Sequence, residues 1–206
     1  MTNVKAAYIV RAAALAAGIP NTAGASSVNR FCSSGLKATQ DIANQIAEGS
    51  IDIGIAIGAE SMSEGGGGLE PFHPEILQNQ ESADCLQPMG QTSENVGKDF
   101  NISRELQDRY AAESYNRAER AQKAGWFDDE IVPITTKVKN PKTGEMVTVT
   151  VSKDEGIRYG TTYESLSKIR PAFPQFGDKS TGGNSSQVTD GGTSHTLSFP
   201  SLNITN

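Results

Sequence analysis

The sequence predicts an α/β fold, in which a βαβ unit near the N-terminus is followed by an inserted α+β unit. Two observations predict it. Isoleucine alternates strictly with small or acidic residues over 51–57, which is typical of a strand, and this run follows a helix-type pattern. Four consecutive glycines at 65–68 then separate this part from a region with a long helical pattern and two strand-type runs.

The helices and strands near the N-terminus are predicted in chain order from the residues that begin and end them. Residues 4–17 predict a small-residue helix that is closed by Gly18 and is expected to pack closely on a sheet. Residues 25–31 predict a short strand, and a second helix opens at Cys32. The helical stripe on this second helix consists of Leu36, Thr39, Ala43, Ile46 and Ala47. Strand, helix and strand at this spacing imply a parallel sheet, whose last strand has one large-residue face and one nearly bare face.

The region after the glycines predicts further helices and a hairpin. Ser103 is expected to cap a long helix over 103–124, and Gly125 to end it. The remaining predicted elements are a helix over 91–98, two hairpin strands over 130–138 and 146–151, and a short helix over 161–169. Opposite charges four residues apart are expected on the outer face of the long helix: Glu105–Arg109, Glu113–Arg117 and Glu119–Lys123.

These patterns predict three segments. Residues 1–63 hold the βαβ core, residues 64–187 form the inserted unit, and residues 188–206 return from it. The glycine run that begins after Glu64 is interpreted as a flexible hinge. A phosphate-binding loop is disfavoured, because the Leu-Glu-Pro that follows offers neither a helix nor a Lys-Ser or Lys-Thr pair.

Composition excludes several classes of function. The net charge of -6 argues against a nucleic-acid partner or an anionic membrane surface, although it leaves room for a local basic pocket that binds a phosphorylated ligand. Two cysteines suggest neither a disulfide framework nor a metal site. No stretch is long and apolar enough to predict a membrane span. Cys85 is expected to be a buried structural thiol.

Cys32 is the strongest candidate for chemistry, because it lies where a predicted helix begins. A helix N-terminus leaves backbone N–H groups unpaired and carries partial positive charge, so it favours thiolate over thiol. The same N–H groups can stabilise an oxyanion when the sulfur attacks a thioester carbonyl. Judged by position alone, a cysteine before a helix is more often an inert buried residue.

The neighbouring residues add a family resemblance. Residues 28–36, Val-Asn-Arg-Phe-Cys-Ser-Ser-Gly-Leu, closely resemble the nucleophile segment of thiolases. Further similar motifs follow in the family's order over 53–63, 89–96, 154–158, 170–173 and 183–191. Asp84-Cys85-Leu86 and the Thr-Ser-Glu-Asn at 92–95 are most similar to the 3-ketoacyl-CoA thiolases of peroxisomes. The resemblance covers about residues 5–191 and implies part of a thiolase-like layered fold that is incomplete at both ends.

The resemblance implies thiolytic cleavage of a 3-ketoacyl-CoA in fatty acid β-oxidation, with Cys32 carrying the acyl group. It implies that coenzyme A and acyl-CoA are substrates and that no cofactor is needed. It also implies that the complete protein is a homodimer or homotetramer. The inserted unit corresponds to the family's loop domain, which covers coenzyme A. Arg158, Ser165 and Ser186 match positions near the coenzyme, and Met89 matches a residue of the acyl pocket. Each also has a plain structural interpretation: Arg158 as a surface arginine, Ser165 as a helix cap, Ser186 as part of a turn, and Met89 as a packing residue.

Three groups that thiolases also need belong to the family's C-terminal half: an activating histidine in Gly-His-Pro, a second cysteine in Cys-x-Gly, and an asparagine. His73 lacks the preceding glycine, and His195 lies in a polar tail that departs from the family pattern after Gly191. We therefore expect the chain alone to expose apolar faces, to be marginally stable and to lack thiolase turnover.

Other functions stay open at this point. A biosynthetic acetoacetyl-CoA thiolase would use the same cysteine in the condensation direction, although the loop-domain motifs favour the degradative type. A non-catalytic acyl-CoA or lipid-binding protein on the same fold would need no nucleophile, and a nonfunctional truncated product is a fourth reading. The resemblance places the parent protein in the peroxisome, with the mitochondrion or cytoplasm as alternatives.

Overall fold

The structure, a computed structural model, describes residues 4–63 and 72–198. The chain divides into two compact units, which are described separately. Unit 1 comprises residues 1–68 and 188–206, and unit 2 comprises residues 69–187. The glycine run interpreted above as a hinge lies outside the described residues.

Unit 1 begins with helix α1, Val4–Ala16, at the predicted place. Gly18 ends it with a φ of +86°, and the Ile19 amide donates to the Ala14 carbonyl. The expectation that α1 packs on a sheet is wrong, because α1 contacts none of the other described helices or strands. Its apolar side chains, such as Tyr8, are correspondingly exposed.

Helix α2, Ser34–Ala47, lies directly on strand β1, Ile53–Glu60. The nearly bare face of the strand makes this possible. Ala56 is 3% exposed beneath the helix, and a Cβ added to Gly58 would lie 3.6 Å from the Gly35 Cα. The side of α2 that is most covered differs from the predicted stripe and consists of Gly35, Ala38, Thr39, Ile42 and Ile46. Leu36 is instead largely exposed.

Strand β4, Gly191–Ser198, pairs with β1 in antiparallel register, from Ile53 opposite Ser198 to Glu60 opposite Gly191. The prediction of a parallel sheet is therefore wrong for the described residues. The segment after Asp190, which its polar sequence did not mark as a strand, supplies the partner of β1. Backbone pairing along all eight residues of β4 makes this possible, since the ladder does not depend on side-chain polarity.

The predicted strand over 25–31 is also absent from the described part of the chain. Arg30 and Cys32 form only an isolated bridge around a turn. Phe31 has a φ of +49°, which lies in the left-handed region and is incompatible with an extended strand. The segment before Cys32 is therefore a tight turn.

The large-residue face of β1 is uncovered in the described part of unit 1. Ile53, Ile55 and Ile57 alternate along it and are 52%, 44% and 61% exposed. The expectation that apolar faces are exposed is confirmed by these side chains. Such a contiguous patch favours self-association.

Asp190 connects the two chain segments that make up unit 1. Its Oδ1 accepts a hydrogen bond of 2.8 Å from the Ser63 amide, just beyond β1. Hydrogen bonds from the Ser63 amide and hydroxyl, with smaller contributions from Met62 and Ser61, hold the pKa of Asp190 below its usual value. The carboxylate therefore stabilises the folded state while it is charged.

This lowered pKa predicts a small dependence of stability on pH. The contribution of Asp190 is fully present above its unfolded pKa of about 3.9 and is lost as the pH falls through the lower folded pKa. Wild-type chain and the Asp190→Asn variant are compared by urea unfolding between about pH 6 and pH 3. The wild type should be the more stable at the upper end, and the difference should shrink toward the lower end. A difference that is constant with pH would contradict this assignment.

Between residues 72 and 187, unit 2 contains a short 3₁₀ helix, Ile76–Gln78, and four α-helices: α3 (Gln80–Asp84), α4 (Met89–Asp99), α5 (Arg104–Lys123) and α6 (Tyr163–Leu166). The long helix agrees with its prediction. The Ser103 side chain accepts from the Leu106 amide, and Gly125 has a φ of +73°. All three predicted ion pairs on α5 form, the first two at exposed positions and the third with Glu119 partly buried.

The predicted hairpin is present as β2, Ile134–Lys139, paired antiparallel with β3, Met146–Val151. Gly144 has a φ of +75° in the connecting turn, and its amide donates to the Asn140 carbonyl. The apolar core of unit 2 is small and lies between α5 and α6. It contains Ala111, Ala112 and Leu166, with Ile169 packed against them.

A buried polar network supplements this small core. Asp108, on α5, is fully buried and accepts from Arg104 Nε at 2.6 Å and from Asn184 Nδ2 at 2.9 Å. Arg104 also donates to the carbonyl oxygens of Leu166 and Ile169. The network therefore ties α5 both to the end of α6 and to the loop that contains Asn184.

Glu94, on α4, holds the same loop from a second side. Its carboxylate is 5% exposed and accepts from the backbone amides of Lys179 and Ser180. The hydroxyls of Ser93 and Ser180 lie 2.7 Å apart and share a hydrogen bond. The buried carboxylates of Asp108 and Glu94 thus hold this loop through hydrogen bonds, which apolar side chains cannot form.

Candidate functional site

The residues predicted to act together fall in both units. Cys32 belongs to unit 1, whereas Met89, Arg158, Ser165 and Ser186 belong to unit 2. The surroundings of each are described within its own unit.

Cys32 is exposed and lies two residues before α2 begins. Side chains on both sides of it hold the preceding turn. Asn29 Oδ1 accepts from the Phe31 amide at 2.9 Å, and Ser34 Oγ accepts from the Arg30 amide at 2.8 Å. Ser34 Oγ also donates to the Phe31 carbonyl at 2.6 Å. The peptide groups on both sides of Phe31 are therefore fixed just before the cysteine.

The turn holds a strained residue. A left-handed backbone costs a bulky L-residue on the order of 1–2 kcal/mol. Phe31 adopts it although its side chain is 87% exposed, so packing of the ring does not account for the conformation. Strain of this kind persists only where surrounding contacts over-determine it.

The first turn of α2 offers free hydrogen-bond donors beside Cys32. The Ser33 and Ser34 amides donate to the Arg30 and Phe31 carbonyls. Within the described residues, the Gly35 and Leu36 amides donate to no acceptor outside the helix. Unpaired amides at a helix N-terminus favour negative charge on a nearby sulfur or oxyanion. The arrangement suits acyl transfer through a thiolate.

The two histidines differ in placement. His73 is exposed, and its Nδ1 accepts a long hydrogen bond of 3.4 Å from the Glu75 amide. His195 lies on β4 opposite Ala56 and lines a cleft of about 460 Å³ together with Gly35 and Leu36. His195 is thus on the α2 side of the sheet, a position that its polar flanking sequence did not indicate.

Met89 is the first residue of α4 and is 72% exposed. It lines a predominantly apolar cleft of about 330 Å³ with Thr92, Val96 and Ile102 among other residues. Met89, Thr92 and Val96 share one helix face because they are spaced by three and four residues. None of the other three predicted residues of unit 2 lines this cleft.

Arg158 lies in the connection between β3 and α6 and is exposed. Its carbonyl accepts from the Thr161 hydroxyl at 2.7 Å. Its guanidinium makes no hydrogen bond or ion pair with the described residues. It is therefore free to bind an anionic group such as a phosphate.

The two predicted serines have local partners. Ser165 forms a capping box at the start of α6: its amide donates to Thr162 Oγ1, and its hydroxyl accepts from the Thr162 amide. Ser186 is exposed, and its hydroxyl makes only a long hydrogen bond of 3.4 Å to the Gln187 carbonyl. The structural role is thus well defined for Ser165 and weak for Ser186.

Cys85 is exposed, so the expectation of a buried thiol is wrong. Its Sγ lies 3.3 Å from the Glu81 carbonyl, at the end of α3, a helix of only five residues that provides little cover. Over 4–63 and 72–198, no group of three His, Cys, Asp or Glu side chains could hold a metal ion. No helix in those ranges is long and apolar enough to cross a membrane.

The sequence of this chain matches a known protein family. Residues 1–197 match the family model described as "Thiolase, N-terminal domain". The chain therefore belongs to the thiolase family. The match extends beyond Gly191, after which a departure from the family pattern was expected, and includes most of β4.

Relatives include peroxisomal 3-ketoacyl-CoA thiolases from Yarrowia lipolytica, 51% identical over 88% of this chain and 44% of that protein, and from Homo sapiens, 49% identical over 90% and 43%. The dimeric peroxisomal thiolase of Saccharomyces cerevisiae has a similar structure, with a TM-score of 0.83 and 45% identity over 95% of this chain and 49% of that chain. The chain thus spans a little under half the length of these relatives.

Sequence reasoning missed two sets of residues. Asn29 and Ser34 lie within residues 28–36, which resemble the nucleophile segment of thiolases. The available signal was that Asn29 precedes Phe31 by two residues, because an asparagine side chain often bonds the backbone two residues further on. Asp108 was hidden in the charge pattern of α5, although it shares the buried stripe of Ala111 and Ala112. A charged residue on an apolar stripe was the signal that could have identified it.

Proposed function

We propose that this chain carries the acyl-accepting nucleophile, Cys32, of a peroxisomal 3-ketoacyl-CoA thiolase. The observation that supports this most strongly is an exposed thiol before the free Gly35 and Leu36 amides, in a chain about 50% identical to thiolases of that name. A carrier that only binds acyl-CoA has no need of such a thiol.

The proposed reaction has two acyl transfers. The Cys32 thiolate adds to the C3 carbonyl of a 3-ketoacyl-CoA, and the oxyanion lies against the free amides of α2. The C2–C3 bond then breaks. The shortened acyl group remains as a thioester on sulfur, and the departing carbanion takes up a proton to become acetyl-CoA. The thiolate of free coenzyme A next attacks the thioester, releases the shortened acyl-CoA and restores Cys32.

Unit 2 supplies the proposed substrate contacts, in keeping with its assignment as a loop domain over 64–187. The free guanidinium of Arg158 binds a phosphate of coenzyme A, and the apolar cleft at Met89 holds the acyl chain. Ser186 contacts the coenzyme through its exposed hydroxyl. Ser165 does so from the first turn of α6, in addition to its capping role. The complete protein is proposed to be a homodimer or homotetramer.

Transfer of an acyl group from acyl-CoA to the chain tests this function. Incubation with excess acetyl-CoA should release about one equivalent of free coenzyme A per chain, because a single nucleophile accepts the group. Intact-protein mass spectrometry should show one added acetyl group. Reversible binding of acetyl-CoA without release of coenzyme A would contradict the proposal and favour a binding protein.

A further inference from the structure

The turn before Cys32 contains a strained conformation that side-chain burial does not explain. Phe31 is a bulky residue at a φ of +49°, next to the proposed nucleophile. Its ring is almost fully exposed, so the protein gains little by burying it. The contacts that hold Phe31 in place are therefore those made to its backbone.

Two side chains make the shortest of those contacts, while the Ser33 hydroxyl and the Ser33 and Ser34 amides add bonds of 3.1 Å to the Arg30 and Phe31 carbonyls. Asn29 Oδ1 holds the Phe31 amide, and Ser34 Oγ bridges the Arg30 amide and the Phe31 carbonyl. Asn29 precedes the strained residue and Ser34 follows it at the start of α2, so the turn is clamped from both ends. The Phe31 carbonyl belongs to the peptide that leads directly into Cys32.

We propose that Asn29 and Ser34 are positioning residues, which hold Phe31 in the left-handed conformation and so keep Cys32 at the free amides of α2. The inference rests on the proposed function of Cys32. Without either clamp, Phe31 relaxes to a negative φ and the Phe31–Cys32 peptide rotates. The thiol then moves away from the free amides in the first turn of α2.

The rate at which iodoacetamide alkylates Cys32 measures whether the thiol keeps its position. Cys85 serves as an internal reference in the same chain. Both thiols are exposed, and Cys85 lies in the other unit. Peptide mapping gives the rate ratio of Cys32 to Cys85. The Asn29→Ala and Ser34→Ala variants should each lower this ratio by about three- to tenfold, the range expected for one net hydrogen bond.

Rescue separates positioning from general damage to the fold. Ser34→Thr keeps the bonding hydroxyl without adding a charge near Cys32, so it should recover most of the ratio. Adding Phe31→Gly to Asn29→Ala should also recover it, because glycine adopts a positive φ without strain. Ser33→Ala is the matched control. Ser33 also bonds the peptide group before Phe31, so a second control, Ser26→Ala, is added. It removes a nearby exposed hydroxyl that makes no hydrogen bond with the described residues, and it should leave the ratio unchanged, whereas the effect of Ser33→Ala should be smaller than that of either clamp variant.

The outcomes distinguish this inference from the proposed function. A wild-type Cys32 that reacts no faster than Cys85 would overturn the proposed function. A fast wild-type Cys32 whose rate ratio is unchanged in Asn29→Ala and Ser34→Ala would overturn only the positioning role. An equal loss in Ser26→Ala, or no recovery when Phe31→Gly is added, would also overturn it.

Discussion

Replacing Cys32 by serine is expected to slow acyl transfer from acyl-CoA to the chain by on the order of 10³-fold or more. A cysteine thiol ionises in part near neutral pH, and its thiolate is a strong nucleophile, whereas a serine hydroxyl stays protonated unless a base removes its proton. The free Gly35 and Leu36 amides are donors only, so they take no proton from a hydroxyl. Release of free coenzyme A from acetyl-CoA, followed over time, measures the effect.

The Cys85→Ser variant is the matched control for this experiment. Cys85 is also exposed, but it follows a helix of five residues instead of preceding one. The variant should release coenzyme A at the wild-type rate. Equal losses in the two variants, or no loss in Cys32→Ser, would contradict the assignment of Cys32 as the nucleophile.

Replacing Asp108 by alanine is expected to lower the stability of unit 2 by about 3–5 kcal/mol, the usual cost of removing one partner of a buried ion pair. Asp108 is fully buried, and its loss leaves Arg104 and Asn184 without their shared acceptor. Because the apolar core of unit 2 is small, little else compensates. The hydrogen-exchange protection of α5 and α6 should fall accordingly.

Glu113→Ala tests whether the effect is specific to the buried pair. Glu113 also pairs with an arginine one helical turn away, Arg117, but at an exposed site on α5. The variant should change the protection of α5 little, since exposed ion pairs contribute little to stability. Similar losses of protection in the two variants would show that burial of Asp108 is not the cause.

Much of the fold could be predicted wherever local pattern and final packing agree. The alternating isoleucines predicted β1 and its bare face, because Ala56 and the glycines leave room for a helix to lie directly on the strand. Ser103 and Gly125 predicted the ends of α5, since capping depends on nearby backbone alone.

The predictions that were wrong concern features that depend on distant or specific contacts. The segment over 25–31 looks extended by composition, but the hydrogen bonds of Asn29 and Ser34 turn it at Phe31. Strand β4 is polar and glycine-rich, and it is a strand because β1, more than 120 residues away, offers an unpaired edge. No local pattern records such a partner.

The candidate site shows the same division. The motif around Cys32 identified the residue, because its neighbours carry a specific pattern. The clamp formed by Asn29 and Ser34 and the hub at Asp108 became visible only through their hydrogen bonds. The roles of Met89, Arg158, Ser165 and Ser186 at a substrate stay predictions.

The most direct test is to locate the acyl group after the wild-type chain has reacted with acetyl-CoA. Quenching in acid preserves thioesters, and digestion followed by mass spectrometry identifies the modified residue. We expect the acetyl group on Cys32, labile to hydroxylamine, with Cys85 unmodified. An acetyl group on Cys85 or on lysine, with Cys32 free, would contradict the account.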